Sequence, residues 1–279
     1  MAGRSYCAEQ VRQYDSDRYL TALFAPPDRR QDLLALYAFN AEVARSREAV
    51  SEPMLGRIRL QWWREAIAEC YGGEVRRHQV VEPLAEAIRR RGLSRNLFDA
   101  LLDAREADME NGPPESLEEL VRYAEESSGG LTRLALEILD VRDDASQSAG
   151  GLVGTAWALT GMMRALPFHL RQGRSVLPRD IMARHGVDEG ALRALKPSES
   201  TSKAVEKICS IALEKIEKSR VLMIEKESRA LPALLPGVLA ETYLRRLSRL
   251  GHDPFDRGNA APLRFRSWRV ILRALRGRI

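Results

Sequence analysis

The sequence contains little cysteine and little histidine, with three cysteines and four histidines in 279 residues. Cys7, Cys70 and Cys209 are isolated, no CxxC pattern occurs, and the histidines lie far apart. A structural zinc site needs several such ligands at short spacings, and a disulfide framework needs paired cysteines. Both are therefore disfavoured, and a reducing compartment fits best. No GxxxxGK[ST] pattern occurs either, so a P-loop phosphate site is not expected.

Aromatic and strand-forming residues are also scarce. Phe, Trp and Tyr together make up 6% of the chain, and runs of Val, Ile and Thr are few. Ala, Leu, Arg and Glu dominate, which favours helices. The hydrophobic content of 44% supports a sizeable core, and no internal repeat or long linker divides the chain. The sequence therefore predicts an all-α protein with a single helical domain.

Long apolar runs are missing as well. The longest uncharged stretch, residues 145–163, contains Ser, Gln and several glycines. It is too polar for a convincing membrane span, which needs about 20 mainly apolar residues. The N-terminal region carries Glu9, Asp15 and Asp17 and has no long apolar core, which is not typical of a secretory signal.

Several serines and one proline mark expected helix boundaries. Ser94 and Ser116 each precede an apolar-periodic stretch and are expected to act as N-caps, and Glu119 gives Ser116 a capping box. A further helix is expected to begin at Ser146 or Ser148. Pro167 is expected to kink or break that helix, because proline lacks the backbone N–H.

Small residues recur along this last helix. Gly150, Gly154, Ala158 and Gly161 are spaced by four, four and three positions, so they share one helix face. Small side chains let a neighbouring helix approach closely. We therefore expect this face to pack tightly in the centre of the protein.

Asp99 and Asp103 form a DxxxD pattern. The two carboxylates fall one helical turn apart on one face, a spacing at which they can share a magnesium ion. The following residues, from Arg105 to Glu110, are also highly charged, so the alternative is a solvated helix face.

His169 lies near the end of an apolar helix, with Arg164, Arg171 and Arg174 close in sequence. Arginine forks bind phosphate or carboxylate groups, and a histidine can act as a general base or a ligand. The alternatives are surface ion pairs for the arginines and a hydrogen-bonded structural role for the histidine. The residues alone leave these possibilities open.

The positive charge is concentrated at the C-terminus. The formal net charge is +5, and residues 243–279 contain ten arginines against two aspartates. Within this region, arginines surround an apolar stripe formed by Phe265, Trp268, Leu272 and Leu275. A basic amphipathic segment of this kind binds an anionic membrane or docks on a protein. The alternative is that the stripe packs on the protein's own core.

We expect residues 1–262 to form the helical domain and residues 263–279 to form this separate basic segment. No recognised nucleic-acid motif accompanies the arginines, and they surround an apolar stripe, so no nucleic-acid partner is expected.

Three stretches of the chain resemble the squalene and phytoene synthases: RYLTALFAPPDRRQDLLALYAF, LVGTAWALTGMMRA and RQGRSVLPRDIMARHGV. The resemblance covers roughly residues 15–250. It implies the all-helical isoprenoid-synthase fold around a central cavity. Such enzymes join two prenyl diphosphates, and magnesium ions held by two aspartate-rich motifs neutralise the departing diphosphate.

The chain departs from the family at both motifs. Counted from LYAF, the first motif falls on Ala44, Arg45 and Glu48, and counted back from GRSVLP, the second falls on Ala165 and His169. Only one of these five positions is acidic, so both halves of the metal clamp are expected to be degenerate. The residues that remain as candidates for lining the cavity or binding an anion are Tyr37, Tyr123, Arg164, Arg171 and Arg174.

Further stretches resemble one branch of this family, the complex I assembly factor 6 proteins. They are SEPMLGRIRLQWWREAI, YAEESSGGLTRLALEIL and RALPFHLRQGRSVLPRDIMARHGV. The resemblance implies a non-catalytic protein with no cofactor, whose partners are complex I subunits or other assembly factors. It also allows a prenyl or lipid ligand in the cavity and peripheral contact with an anionic membrane.

Two expectations complete this interpretation. The chain begins close to the fold without a transit peptide, which predicts a bacterial cytoplasmic protein beside the inner membrane, whereas eukaryotic relatives are mitochondrial. The alternative function is a prenyltransferase with a rewired site, in which Glu48, Asp99, Asp103 and the arginines bind a prenyl diphosphate with Mg²⁺.

Overall fold

The computed structural model describes residues 5–47, 53–110, 112–223, 228–261, 263 and 266–275. Throughout these ranges the regular structure is helical and contains no strand, which confirms the predicted all-α fold class. None of the helices in these ranges combines the length and the apolar character that crossing a membrane requires.

Eight α-helices precede the long central helix. They are α1 (Tyr6–Tyr14), α2 (Ser16–Ala22), α3 (Pro27–Ala44), α4 (Pro53–Gly72), α5 (Val81–Arg91), α6 (Arg95–Ala104), α7 (Leu117–Ala124) and α8 (Gly130–Ile138). A 3₁₀ turn, Arg105–Met109, follows α6, and a π-helical turn, Glu125–Gly129, joins α7 to α8.

The remaining helices begin with the central one, α9. They are α9 (Asp144–Arg171), α10 (Arg179–His185), α11 (Glu189–Arg193), α12 (Glu199–Leu222), α13 (Leu231–Leu234), α14 (Pro236–Arg249), α15 (Arg257–Ala260) and α16 (Arg266–Leu275). Helix α9 packs against α8, which precedes it in the chain, and against α12 and α14, which follow it. It therefore connects the N-terminal helices to the C-terminal helices.

The start of α9 differs from the predicted one. The helix begins at Asp144, because the Asp143 carboxylate caps it by accepting a hydrogen bond from Ser146 N at 2.8 Å. The predicted starts at Ser146 or Ser148 were therefore wrong by a few residues. Pro167 lies inside the helix and does not end it. It lies about one turn from the C-terminal end of α9. Because proline has no backbone N–H, the helix loses one hydrogen bond there, and it still continues to Arg171.

The two predicted serine caps have different outcomes. Ser116 Oγ accepts a hydrogen bond from Glu119 N at 3.2 Å, which confirms the cap of α7. Helix α6 does begin directly after Ser94, but the serine side chain does not cap it. Ser94 instead donates to the Glu137 carboxylate through both Oγ (2.5 Å) and N (2.8 Å). A tertiary partner 43 residues away has replaced the local cap.

The face of small residues on α9 divides into two parts. A Cβ atom on Gly154 would lie 2.2 Å from the backbone oxygen of Ser128, and one on Gly150 would lie 2.4 Å from Leu136 Cδ1. The expected close packing is therefore present in this half. A Cβ atom on Gly161 would have no neighbour within 4 Å, because this half of the helix borders a cavity.

Candidate functional site

A cavity of about 920 Å³ lies between α3, α7 and the C-terminal half of α9. Its size is in the range of small-molecule sites. Part of its wall is apolar and consists of Ala41, Leu120, Trp157, Ala158, Met162 and Val176.

Positions that the sequence pattern assigns to the two motifs line this cavity. Ala44 and Arg45 lie on the α3 wall, and Ala165 and His169 lie on the α9 wall. The Arg45 guanidinium stacks on the ring of Tyr14, 3.6 Å from its centroid. Glu48, the remaining acidic position, lies outside the described residues. The two helices thus bring together the positions that the sequence pattern identified, with two methyl groups, a guanidinium and an imidazole in place of carboxylates.

This set of side chains does not fit a magnesium ion. Mg²⁺ requires hard oxygen ligands, usually carboxylates, in octahedral geometry. Across the described ranges, no group of three or more His, Cys, Asp or Glu side chains is arranged to hold a metal ion. The four described motif positions contribute no oxygen ligand at all.

Asp108 organises the polar end of the cavity. Its carboxylate accepts hydrogen bonds from Tyr123 OH at 3.0 Å and from Arg174 Nη2 at 3.0 Å. Arg105 Nη1 lies 3.2 Å from the same carboxylate and donates to Tyr123 OH at 2.6 Å. Burial, and then the Asp108 charge, raise the pKa of Tyr123 despite the opposing arginines, so the phenol stays protonated. One carboxylate therefore pairs with both arginines.

Asp108 was not singled out from the sequence. It lies in the charged run after α6, which resembles a solvated helix face. The structure ends that helix at Ala104, and the following 3₁₀ turn directs Arg105 and Asp108 into the cavity wall. Only the proximity of Tyr123 and Arg174, which are distant in sequence, reveals the cluster.

His169 lies close to this cluster in a neutral state. Burial, and then the nearby Arg174 charge, lower the pKa of His169 to about 4. The ring is therefore uncharged near neutral pH. Its Nδ1 atom is buried and has no hydrogen-bond partner within the described ranges. A neutral imidazole can donate one hydrogen bond and accept another, and within the described ranges His169 Nδ1 does neither.

The other candidate residues lie away from the cavity lining. Tyr37 is buried in the core beneath the Arg18 guanidinium, 5.7 Å from its ring centroid, and burial raises the pKa of Tyr37 to about 12. Arg164 stacks on Tyr243 at 3.4 Å, and Arg171 is exposed at the end of α9. Of the five candidates for cavity lining or anion binding, the structure places only Tyr123 and Arg174 in the wall.

Asp99 and Asp103 are exposed and do not line the cavity. Asp103 Oδ1 pairs with Arg64 Nη2 at 2.6 Å, and Asp99 Oδ2 lies 3.4 Å from Arg95 Nε. The DxxxD pattern thus forms surface ion pairs, in agreement with a solvated face.

The π-helical turn contributes a polar patch that sequence patterns did not reveal. Ser127 and Ser128 line the cavity, and Ser128 Oγ accepts a hydrogen bond from Arg18 Nη2 at 2.7 Å. Arg18 also pairs with Asp15 at 2.9 Å. Such turns occur often at functional sites, because the extra residue per turn redirects side chains.

Helix α16 carries a second surface of interest. Val270 is fully buried against Tyr243 and its neighbours, and Arg266 Nη1 binds Asp17 Oδ1 at 2.9 Å. The opposite face is open, with Trp268 63% and Leu275 80% exposed. Leu272 is also exposed, whereas Phe265 lies outside the described residues. One face of the helix is thus held by the body of the protein, while the described residues of the apolar stripe, Trp268, Leu272 and Leu275, face solvent.

Relatives with similar sequences carry the name of an assembly factor. The chain is 30% identical over 250 residues to NADH dehydrogenase (ubiquinone) complex I, assembly factor 6, of Mus musculus, covering 90% of this chain and 75% of that protein. It is 29% identical over 258 residues to the Drosophila melanogaster homolog, covering 88% and 76%.

Two solved structures with the same fold are named as synthases. A dehydrosqualene synthase in complex with ligand superposes with a TM-score of 0.85 at 18% identity, covering 97% of this chain and 94% of that one. A squalene synthase from Alicyclobacillus acidocaldarius superposes with a TM-score of 0.78 at 22% identity, covering 89% and 94%. The fold is therefore the helical one of these synthases. The squalene/phytoene synthase model matches residues 11–276, and the chain belongs to that family.

Proposed function

We propose that this protein acts in the assembly of respiratory complex I and does not transfer prenyl groups. The observation that carries the proposal is the chemistry of the two facing walls, where Ala44, Arg45, Ala165 and His169 line the cavity without a carboxylate. Relatives named complex I assembly factor 6, one of which matches 90% of the chain, support the proposed role in complex I assembly.

The physical argument concerns the departing diphosphate. Prenyl transfer requires metal ions that bridge this group to carboxylates on both walls, because its developing negative charge must be neutralised. Here the arginines at the polar end already pair with Asp108. At the four described motif positions no metal ligand remains, and Arg105 and Arg174 are already paired and therefore not free to perform that step.

The exposed face of α16 supports a role at the membrane. Trp268, Leu272 and Leu275 face solvent, and so does Arg269 on the same helix, whereas Arg273 Nη2 lies 4.0 Å from Glu241 Oε2 on α14. A helix with this arrangement binds in the interface of an anionic bilayer, with its apolar side chains inserted and its arginines near the phosphates. We propose that this face holds the protein at the inner surface of the bacterial membrane, where complex I is built.

Genetic complementation tests the proposed function. In a bacterium that carries this gene and complex I, deletion is expected to lower the assembled complex on native gels, and the wild-type gene is expected to restore it. The variant Asp99→Asn/Asp103→Asn, which changes only surface ion pairs, serves as a matched control and should complement fully. Normal complex I levels in the deletion strain would contradict the proposal.

Vesicle binding tests the membrane step separately. Trp268→Ser/Leu272→Ser is expected to lose sedimentation with anionic phosphatidylglycerol vesicles while keeping its helical circular dichroism. Val221→Ser/Leu222→Ser, at an exposed apolar site on α12, is the control and should bind as the wild type does. If the α16 variant still sediments fully with the vesicles, the exposed face of α16 does not bind the membrane. If the wild-type protein binds complex I subunits but not vesicles, this face is a protein-docking surface instead.

A rewired prenyltransferase is the second candidate function. It is favoured by the carboxylates that do line the cavity away from the motif positions, among them Asp108, Glu110 and Glu115. Incubation of the purified protein with farnesyl diphosphate and Mg²⁺ distinguishes the two functions. We expect no condensed product, and magnesium-dependent turnover that is lost in Asp108→Asn would instead establish the enzyme.

A further inference from the structure

The N-terminal end of helix α4 exposes three large apolar side chains. Met54 is 61% exposed, Ile58 is 58% exposed and Leu55 is 44% exposed. At 100° per residue these three positions share one face of the helix, which we call the α4 stripe. Single exposed apolar residues are ordinary on protein surfaces, whereas a contiguous group of them marks an interaction site.

The opposite face of α4 holds the stripe in place. Gly56, Leu60 and Trp63 are buried on that face. A Cβ atom on Gly56 would lie 2.4 Å from Met109 Sδ, so α4 packs closely against the 3₁₀ turn that follows α6. The stripe is therefore presented by a firmly packed helix, and a partner does not have to order it on binding.

The charges along one edge of the stripe are already paired. Arg57 pairs with Glu106 at 3.1 Å and with Glu110 at 2.6 Å. Arg64, on the same edge, pairs with Asp103 at 2.6 Å. This edge therefore presents charges of both signs.

The other edge carries one exposed arginine, Arg59. Its charge acts on Glu42 of α3, but the two side chains do not form an ion pair. Within the described ranges no other carboxylate pairs with Arg59 either. A carboxylate on a partner would complete this edge, because interfaces place opposite charges against each other.

The carboxylates distinguish this surface from that of α16. The described residues of α16 include no acidic side chain, as expected of a helix that binds anionic lipid. Beside the α4 stripe, in contrast, Glu65, Glu106 and Glu110 all reach solvent. Lipid phosphates would be repelled by these groups. An apolar centre with a mixed polar rim is instead the usual anatomy of a protein interface.

A second copy of the chain does not complement this surface. Arg57 and Arg59 lie on either side of Ile58, each rotated by about 100° around the helix axis. In a two-fold contact centred on Ile58, Arg59 would therefore face its own copy if the helices ran antiparallel, or Arg57 if they ran parallel. Like charges oppose association, so the charges favour a different protein.

We infer that the α4 stripe docks an amphipathic helix of a partner protein, which places a carboxylate against Arg59. Met54 and Ile58 form an i, i+4 ridge, which fits the groove between the side chains of a second helix. The inference rests on the proposed function, which supplies the class of partner: a subunit of complex I or another assembly factor. In this arrangement α16 holds the protein at the membrane and α4 holds the partner.

Site-specific photocrosslinking in living cells tests this inference. The full chain with p-benzoylphenylalanine in place of Ile58 is expected to give a protein adduct on irradiation, and mass spectrometry identifies the crosslinked peptide. That peptide is expected to come from a complex I subunit or assembly factor and to carry apolar residues at helical spacing beside Asp or Glu. The same probe in place of Val221, an exposed apolar residue of α12, is the control and should not give that adduct.

Charge reversal tests the role of Arg59. Arg59→Glu is expected to lower the yield of the Ile58 adduct about fivefold, the effect of losing one exposed ion pair. Changing the crosslinked carboxylate of the partner to Lys is expected to restore the yield. Arg184→Glu, at an exposed arginine of α10, is the control and should leave the yield unchanged.

Complementation separates this inference from the proposed function. Met54→Ser/Ile58→Ser is expected to keep its helical circular dichroism and its sedimentation with phosphatidylglycerol vesicles, but to lower the assembled complex I about tenfold in the deletion strain. If the wild-type gene restores complex I and this variant restores it equally, the proposed function stands and the docking surface is rejected.

Four other results would also overturn the inference. They are an Ile58 adduct with a second copy of the chain, an adduct with lipid, the absence of any protein adduct, and an adduct yield that Arg59→Glu leaves unchanged.

Discussion

The two halves of helix α9 use small residues for opposite purposes. At Gly150 and Gly154, the missing side chain lets α8 and the π-helical turn approach the helix backbone. At Gly161, the missing side chain leaves open space at the cavity. The same pattern in sequence thus stabilises the core in one half and preserves a binding volume in the other. Spacing alone does not distinguish close packing from an opening, because both require a small side chain.

Gly154→Ala should produce the largest effect. The new Cβ atom would lie 2.2 Å from Ser128 O, and a backbone atom cannot turn away as a side chain can. We expect the free energy of unfolding to fall by about 3 kcal/mol, measured by urea denaturation. A change below about 1 kcal/mol would show that the two halves of the helix are packed alike.

His169→Gln tests the buried polar group of the open half. In the folded protein the imidazole takes up a proton only near pH 4, whereas in the unfolded chain it does so near pH 6.5, at about its usual pKa. The unfolded state therefore binds more protons between these values, so stability is fully present above pH 6.5 and is lost as the pH falls towards 4. We expect the variant to remove about 3 kcal/mol of the stability loss between pH 7 and pH 4, because each unit of the pKa difference contributes about 1.4 kcal/mol.

The measurement is urea denaturation of both proteins at pH 7, 5.5 and 4. The comparison between them matters, because carboxylates contribute to the acid loss in both. If both proteins lost the same free energy of unfolding on acidification, His169 would not be shielded from protonation in the folded state. The imidazole would then be more hydrated than its burial in the structure indicates.

Gly150→Ala is expected to have a smaller effect than Gly154→Ala. Its nearest neighbour is Leu136 Cδ1 at 2.4 Å, the flexible end of a side chain, which can rotate away. The alanine also gains helix propensity, which offsets part of the cost. We expect a loss of about 1 kcal/mol in thermal or urea denaturation, and a loss equal to that of Gly154→Ala would argue against this ranking.

Gly161→Ala should have the smallest effect and the opposite sign. Its Cβ atom meets no neighbour within 4 Å, so only the helix propensity changes. We expect stability to rise by about 0.5 kcal/mol. Destabilisation would show that the cavity closes in solution around this position, and the contrast between the two halves of α9 would disappear.

The sequence predicted the parts of the molecule that depend on local chemistry. Composition indicated the all-α class, Ser116 identified a helix start, and the counts from LYAF and GRSVLP placed Ala44 and His169 on facing walls of one cavity. The first two of these depend on residues close together in the chain. The prediction that the two motifs face each other across one cavity came from the family pattern, because no spacing in the sequence relates the two helices directly.

The parts that the sequence did not predict depend on distant partners. Ser94 binds Glu137 instead of capping its helix, and Asp108 turns inward to meet Tyr123 and Arg174. The charged run around Asp108 gave no sign of this, because a buried ion cluster and a solvated face have the same composition. The sequence left open whether the C-terminal stripe meets a membrane, a partner or the protein's own core, because only the packing of Val270 shows which face of α16 turns inward.

The contact at Asp17 has a consequence for how the chain is made. Its carboxylate accepts hydrogen bonds from Tyr243 OH at 2.8 Å and Arg266 Nη1 at 2.9 Å, across separations of 226 and 249 residues. A ribosome therefore synthesises Asp17 well before Tyr243 and Arg266. The buried aspartate has neither partner until these residues have been made, and the N-terminal helices acquire these contacts only after α14 and α16 have left the ribosome.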